Sequence, residues 1–220
     1  MPRLLFEKKG NAIWISHLDL MRLFQRSFKR AGLPLTHTQG FNPRPSVSIA
    51  LPLSVGVDSK CEILDFDLDG CSVSCEEICQ KLNQALISGV RVLDVYEDGR
   101  KIKHLALLDC VVTLEYDQGV PANAVAQLTE FFSREEILVE KKSKSAGIIE
   151  QNIVPMIKTM DVVQTDENTV ELRARVCCQN PTLNPMLLER AIARYLPELT
   201  ADFAKSSRIE VYDAEGTIFR

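Results

Sequence analysis

The chain has 220 residues, of which 45% are hydrophobic and 25% charged, enough apolar material for one sizeable core or two small ones without covalent staples. No apolar run approaches the roughly 18 residues of a membrane span, and no secretory leader is evident, so the expected location is cytoplasmic with no membrane contact. The net charge of −4 hides an asymmetry: residues 1–60 carry nine Lys/Arg against three acids, and the other 160 residues carry −10. A basic segment on an acidic body fits a local docking surface for a polyanion, or a solvated helix face.

Arg3-Leu4-Leu5-Phe6-Glu7-Lys8 reads as a strand, and Lys9-Gly10-Asn11 as a turn. Ser16 with Asp19 three residues on is close to a capping box, and Leu18, Met21, Phe24 and Phe28 recur at helical spacing until Gly32 and Pro34. Arg22, Arg26, Lys29 and Arg30 then share one exposed stripe. Residues 46–51 and 62–68 alternate as strands; Ser74 with Glu77 opens a second helix through Leu86, and 90–96 forms a strand.

The polar stretch from Glu97 to Lys103 suits a connection. Beyond it follow a strand (108–116), a helix (122–132), strands at 137–140, 153–160 and 169–176, a helix from Asn184-Pro185 to Tyr195, and a strand at 208–212. The expected class is α+β, with tandem ferredoxin-like βαββαβ units at 1–98 and 99–220.

The candidate residues gather in the first fifth of the chain. In Gln39-Gly40-Phe41-Asn42-Pro43-Arg44-Pro45, Gly40 permits a tight turn and the prolines stiffen the chain. Such a loop presents Phe41 for stacking on a base and Arg44 for a phosphate, or turns Phe41 inward. His17 and His37 are the acid–base candidates. His17 also fits a neutral imidazole hydrogen-bonded to the Gly40-to-Pro45 turn, and Asp19 a helix cap. Cys71, Cys75 and Cys79 read as structural thiols, and no metal site is expected.

The run Ile15-Ser16-His17-Leu18-Asp19-Leu20-Met21-Arg22, the Arg30-Ala31-Gly32-Leu33-Pro34 exit and Gln39-to-Pro45 resemble the radical SAM-linked protein family, a bacterial domain of unknown function. The likeness is close over about the first 60 residues and continues in outline through Glu62–Asp67 and Lys141-Lys142-Ser143-Lys144. Where relatives carry a basic segment, this chain has Gln151-Asn152-Ile153-Val154-Pro155.

The resemblance implies a radical SAM partner that carries the iron–sulfur cluster and S-adenosylmethionine, with no cofactor in this chain. It also implies RNA or a ribosomal component as substrate. The cysteine spacing differs from the Cys-x3-Cys-x2-Cys of that superfamily. The expected function is a non-catalytic accessory protein that binds RNA or a ribonucleoprotein substrate and presents it to this partner. Arg22, Arg26, Lys29, Arg30, Phe41 and Arg44 would contact RNA, and Ser16, His17, Asp19, Gly40, Asn42 and Pro43 would shape the site. The alternatives are a self-sufficient RNA-processing enzyme using His17 or His37, and a protein-only adaptor.

Overall fold

A computed structural model describes residues 2–70, 73–143 and 147–220, without the side chains of 141–143 and 148. The chain is α+β and divides into two compact units, residues 1–104 with Arg220, and 105–219. Cys71 and Lys144 lie outside the described residues, as do the side chains of Lys141 and Lys142.

The first unit contains β1 (Arg3–Lys8), α1 (His17–Arg30), β2 (Val47–Ile49), β3 (Asp58–Phe66), α2 (Cys75–Ala85) and β4 (Val90–Tyr96). Its strands lie in the order β4-β1-β3-β2, each pair antiparallel. The period of two along β1 sends Leu4 and Phe6 into a core shared with Leu64 and Phe66 of β3 and Val90 and Val92 of β4. The helices close over this face with Leu20, Phe24 and Phe28 from α1 and Ile78 and Leu82 from α2. Phe6 meets Phe24 edge-on at 4.7 Å, and Phe28 meets Phe66 at 4.9 Å between ring centres.

The buried stripe of α1 therefore runs through Leu20, Phe24, Ser27 and Phe28, and Leu18, expected on the apolar face, is 67% exposed. The start of the helix sets this phase. Lys8 is fully buried at the end of β1, and its Nζ donates to the Ile15 carbonyl at 2.9 Å. That bond fixes the residue preceding the Ser16 cap. On β3, Ser59 and Glu62 are also buried, with Ser59 Oγ donating to Glu62 Oε1 at 2.7 Å.

The expected unit boundary at 98/99 falls before the segment that ends the first unit at His104. Arg3 explains the difference: its Nε donates to Asp65 Oδ1 at 2.6 Å, and its Nη1 to the Arg100 carbonyl at 2.8 Å. The Arg100 amide in turn donates to the Arg220 carbonyl at 2.9 Å. A Cβ at Gly99 would stand 2.7 Å from Arg3 Nη1, so any other residue there would displace the guanidinium.

The second unit contains β5 (Leu107–Glu115), α3 (Ala124–Phe132), β6 (Leu138–Ser143), β7 (Gly147–Asn152), β8 (Ile157–Gln164), β9 (Thr169–Cys177), α4 (Met186–Tyr195) and β10 (Phe203–Tyr212). Its main strands follow the order β10-β5-β9-β8, again antiparallel. The expected strand at 137–140 instead joins β7 in a separate hairpin. Pro155 lies in a 3₁₀ turn from Val154 to Met156, which moves the next strand from the expected 153–160 to Ile157–Gln164.

Cys61, Cys110, Cys177 and Cys178 are buried, and Cys75 and Cys79 are half-buried against the first core. Burial pushes the Cys110 thiol up to about 12 and also raises Cys79, which suits packing rather than nucleophilic chemistry.

Lys8→Ala is expected to lower the unfolding free energy by about 3 kcal/mol, since a charge-assisted hydrogen bond and a filled volume are lost together. Urea unfolding measures this. A loss below about 0.5 kcal/mol, the scale of an exposed substitution, would contradict the anchoring role.

Candidate nucleic-acid interface

Two segments build the candidate surface. The first is the entry and outer face of α1. Ser16 Oγ accepts from the Asp19 amide at 3.2 Å and donates to Asp19 Oδ2 at 2.7 Å, a capping arrangement with aspartate in the usual place of glutamate. Arg22 Nη1 donates to Asp19 Oδ1 at 2.9 Å. The Ser16 hydrogen bond, followed by that from Arg22, holds the exposed Asp19 carboxyl below its ordinary range.

The second segment is an irregular hairpin from Thr36 to Ser46. The Ser46 amide donates to the Thr36 carbonyl at 2.8 Å, His37 bridges Pro45, and the Thr38 amide donates to the Arg44 carbonyl at 2.8 Å. Thr36 Oγ1 donates to Asp67 Oδ2 at 3.0 Å and ties the hairpin to the residue after β3. Gly40 takes φ +135°, a conformation that side chains rarely adopt. Phe41 is fully exposed, and Asn42, Pro43 and Arg44 are exposed beside it. An inward Phe41 is thus not the arrangement adopted.

The expected single cationic stripe on α1 is divided. Arg22, Arg26 and Arg30 line a groove of about 490 Å³ together with Ile15, Asp19 and Ile87. Lys29 borders a second groove of about 520 Å³ with His37 and Pro45. The division comes from what flanks the helix: Ile15 and Ile87 lie beside Arg22, Arg26 and Arg30, whereas the α1 exit and the foot of the hairpin lie beside Lys29. Arg30 also serves the fold: its Nη2 donates to the Ala85 carbonyl at 2.7 Å and so caps the end of α2.

His17 is half-buried, and its Nδ1 is shielded from solvent and makes no hydrogen bond among the described residues. The expected hydrogen bond from His17 to the Gly40-to-Pro45 turn is therefore not formed. His37 is exposed at the foot of the hairpin. Among the described residues, no group of three His, Cys, Asp or Glu side chains could hold a metal ion. No helix there is long and apolar enough to cross a membrane.

The apolar contributors went unpredicted. Ile15, Leu23 and Ile87 line the first groove, and Leu33 and Leu35 the second. Leu23 lies mid-helix off the buried stripe of α1, and the other four come from the connections that flank α1 and follow α2, where no periodicity marks them.

Residues 2–185 match the model of a family described as an uncharacterized protein conserved in bacteria (DUF2344). The chain belongs to that family. No curated protein matches this DUF2344 member. Among solved structures it is similar to a chain of a Cbf5-Nop10-Gar1 complex, with a TM-score of 0.54 and 10% identity over 96% of this chain and 48% of that one. It is also similar to a chain of an H/ACA RNP bound to a substrate RNA containing 2'-deoxyuridine, with a TM-score of 0.50 and 10% identity over 98% of this chain and 48% of that one. The DUF2344 chain thus spans about half the length of the solved chains it matches. At this identity the likeness concerns the fold.

Because the folded-state value of Asp19 is depressed, its stabilisation of the helix start is complete above about pH 4. It is lost as pH falls through the lower, folded value. A carboxyl-carbon NMR titration is expected to place Asp19 below exposed aspartates elsewhere in the chain. Asp19→Asn is expected to weaken amide-exchange protection of the first turn of α1 at pH 7. An ordinary titration midpoint would contradict this capping geometry.

Proposed function

We propose that this protein is a non-catalytic accessory subunit that binds RNA or a ribonucleoprotein substrate and presents it to a radical SAM partner enzyme. The observation that carries the RNA half is the cationic outer face of α1 beside a stiff hairpin with a fully exposed aromatic tip. Cations along a helix neutralise phosphates without reading sequence, and an exposed ring stacks on any unpaired base. In this reading Arg22, Arg26, Lys29 and Arg44 hold phosphates, and the anchored Arg30 adds positive potential. Phe41 stacks; Ser16, His17, Asp19, Gly40, Asn42 and Pro43 set the shape.

One of the two similar solved chains comes from an H/ACA RNP bound to a substrate RNA, which fits a nucleic-acid role. We read each unit as ferredoxin-like, supported by the recurrence of one strand order in both, with the β6-β7 hairpin as an insertion in the second. The radical SAM partner, with its iron–sulfur cluster and S-adenosylmethionine, rests on the sequence resemblance.

One observation favours a second reading, a self-sufficient RNA-processing enzyme: the Asp19 carboxylate lies in a groove with three arginines. His17 or His37 would be its acid or base. RNA processing by the pure chain, abolished by His17→Ala or His37→Ala, would establish this reading over the first.

Fluorescence anisotropy with labelled single-stranded RNA tests the binding. Arg22→Glu/Arg26→Glu is expected to weaken affinity at least about tenfold and to flatten the log–log salt slope by about 1.4, two phosphate contacts' worth. Lys158→Glu/Arg190→Glu, an equal charge change on exposed residues of the second unit, is expected to have little effect. Equal losses from both pairs would reduce the interaction to net charge and contradict the assignment. For the partner, a tagged chain purified from its native cell is expected to bring down a radical SAM protein after nuclease treatment as well as before. Recovery of none would remove that half of the proposal.

A further inference from the structure

We infer that the groove between the C-terminal half of α1 and the foot of the Thr36-to-Ser46 hairpin receives one unpaired nucleotide of an RNA strand, its base in the groove and its phosphate on Lys29. This inference rests on the RNA-binding reading and names the part of the RNA that the site takes. The groove has a volume of about 520 Å³, within the roughly 300–1,000 Å³ of small-ligand sites. Its wall is largely apolar, built by Leu33, Pro34 and Leu35 at the exit of α1 and by Pro45 across from them. Three polar side chains break that wall: half-buried Gln25, and exposed Lys29 and His37.

That composition matches a nucleotide. A base is a flat aromatic with a polar edge, so it calls for apolar walls together with a few donors and acceptors. The Gln25 amide offers both, and so does a neutral His37 imidazole. The Lys29 ammonium is a compact cation of the kind that pairs with a phosphate. No acid lines this groove, whereas Asp19 lies among the arginines of the other. The two grooves therefore divide the work, one tracking the strand and the other receiving a base. A paired base, stacked between its neighbours with its edge occupied, cannot enter.

The site is also preformed. Gly32 takes φ +68° and turns the chain out of α1, directly before the Leu33–Leu35 wall. Leu35 bridges Leu68, the His37–Pro45 bridge closes the opposite side, and the Arg44 amide donates to Thr38 Oγ1 at 3.0 Å. Walls fixed this way lose little conformational freedom on binding.

The test compares one RNA sequence as a single strand carrying 2-aminopurine and as the annealed duplex, against the whole chain. Wild type is expected to prefer the single strand by about a hundredfold, the scale of two bases, one on Phe41 and one in the groove. Leu35→Trp, which fills the groove, is expected to cut that ratio about tenfold, to what Phe41 alone supplies, while duplex affinity and its salt slope stay unchanged. If Leu35→Trp fails to fold, Gln25→Ala/His37→Ala decides, with a several-fold loss of the preference expected. Equal binding of both forms by wild type, or a preference untouched in a folded groove variant, would overturn the inference and leave RNA binding standing. Absence of binding to either form would overturn both.

Discussion

Lys8 ends the first strand fully buried, and its ammonium donates to the carbonyl of Ile15, immediately before the cap of α1. A cation removed from water has to be met by acceptors fixed in place, because an unpaired buried charge is strongly destabilising. The hydrogen bond therefore does more than satisfy a donor. It fixes where α1 starts and, through the 3.6-residue repeat, which residues of α1 face the core. With Leu20, Phe24 and Phe28 turned inward, Arg22, Arg26 and Lys29 must face out. The register of the first strand thus sets the charge pattern of the surface that we assign to RNA.

The positive charge of that surface is not all equally available. Arg30 is committed to the end of α2, and Arg22 to Asp19. The second commitment is weak: both partners are exposed, and salt screens such a pair. A phosphate can compete for Arg22 at little cost, and Asp19 remains held by its hydrogen bonds with Ser16. An arginine kept extended by its own helix and then shared with a ligand is better preorganised than a free one. The hairpin applies the same economy to an aromatic, since prolines and backbone bonds hold the chain that carries Phe41.

Much of this was legible in the residues. The Ser16–Asp19 spacing placed the start of α1, and Gly32 with Pro34 its end. The order of elements in both units followed from alternation and from the Ser74–Glu77 cap. Three features were not legible. The burial of Lys8 follows a charged residue continuing the inward alternation of Leu4 and Phe6, a pattern that reads as a strand whose last residue is solvated. Leu18 satisfied helical periodicity as well as Leu20 did, and only the anchored start separates the two phases. The grooves depend on residues far apart in sequence, Ile87 against Leu23 and Pro45 against Leu33, and no local spacing encodes such meetings. At β6, periodicity identified a strand but not its partner, so the hairpin with β7 could not be told from a strand of the main sheet.

The measurement that bears most directly on this account is photocrosslinking of bound 4-thiouridine RNA to the protein, followed by peptide mapping. The account predicts crosslinks at Phe41 and within the segments 16–30 and 33–46, with those at Phe41 lost in Phe41→Ala while the protein still binds. Crosslinks confined to residues 105–219 would contradict it, and would move the interface to the unit that carries the acidic balance of the chain.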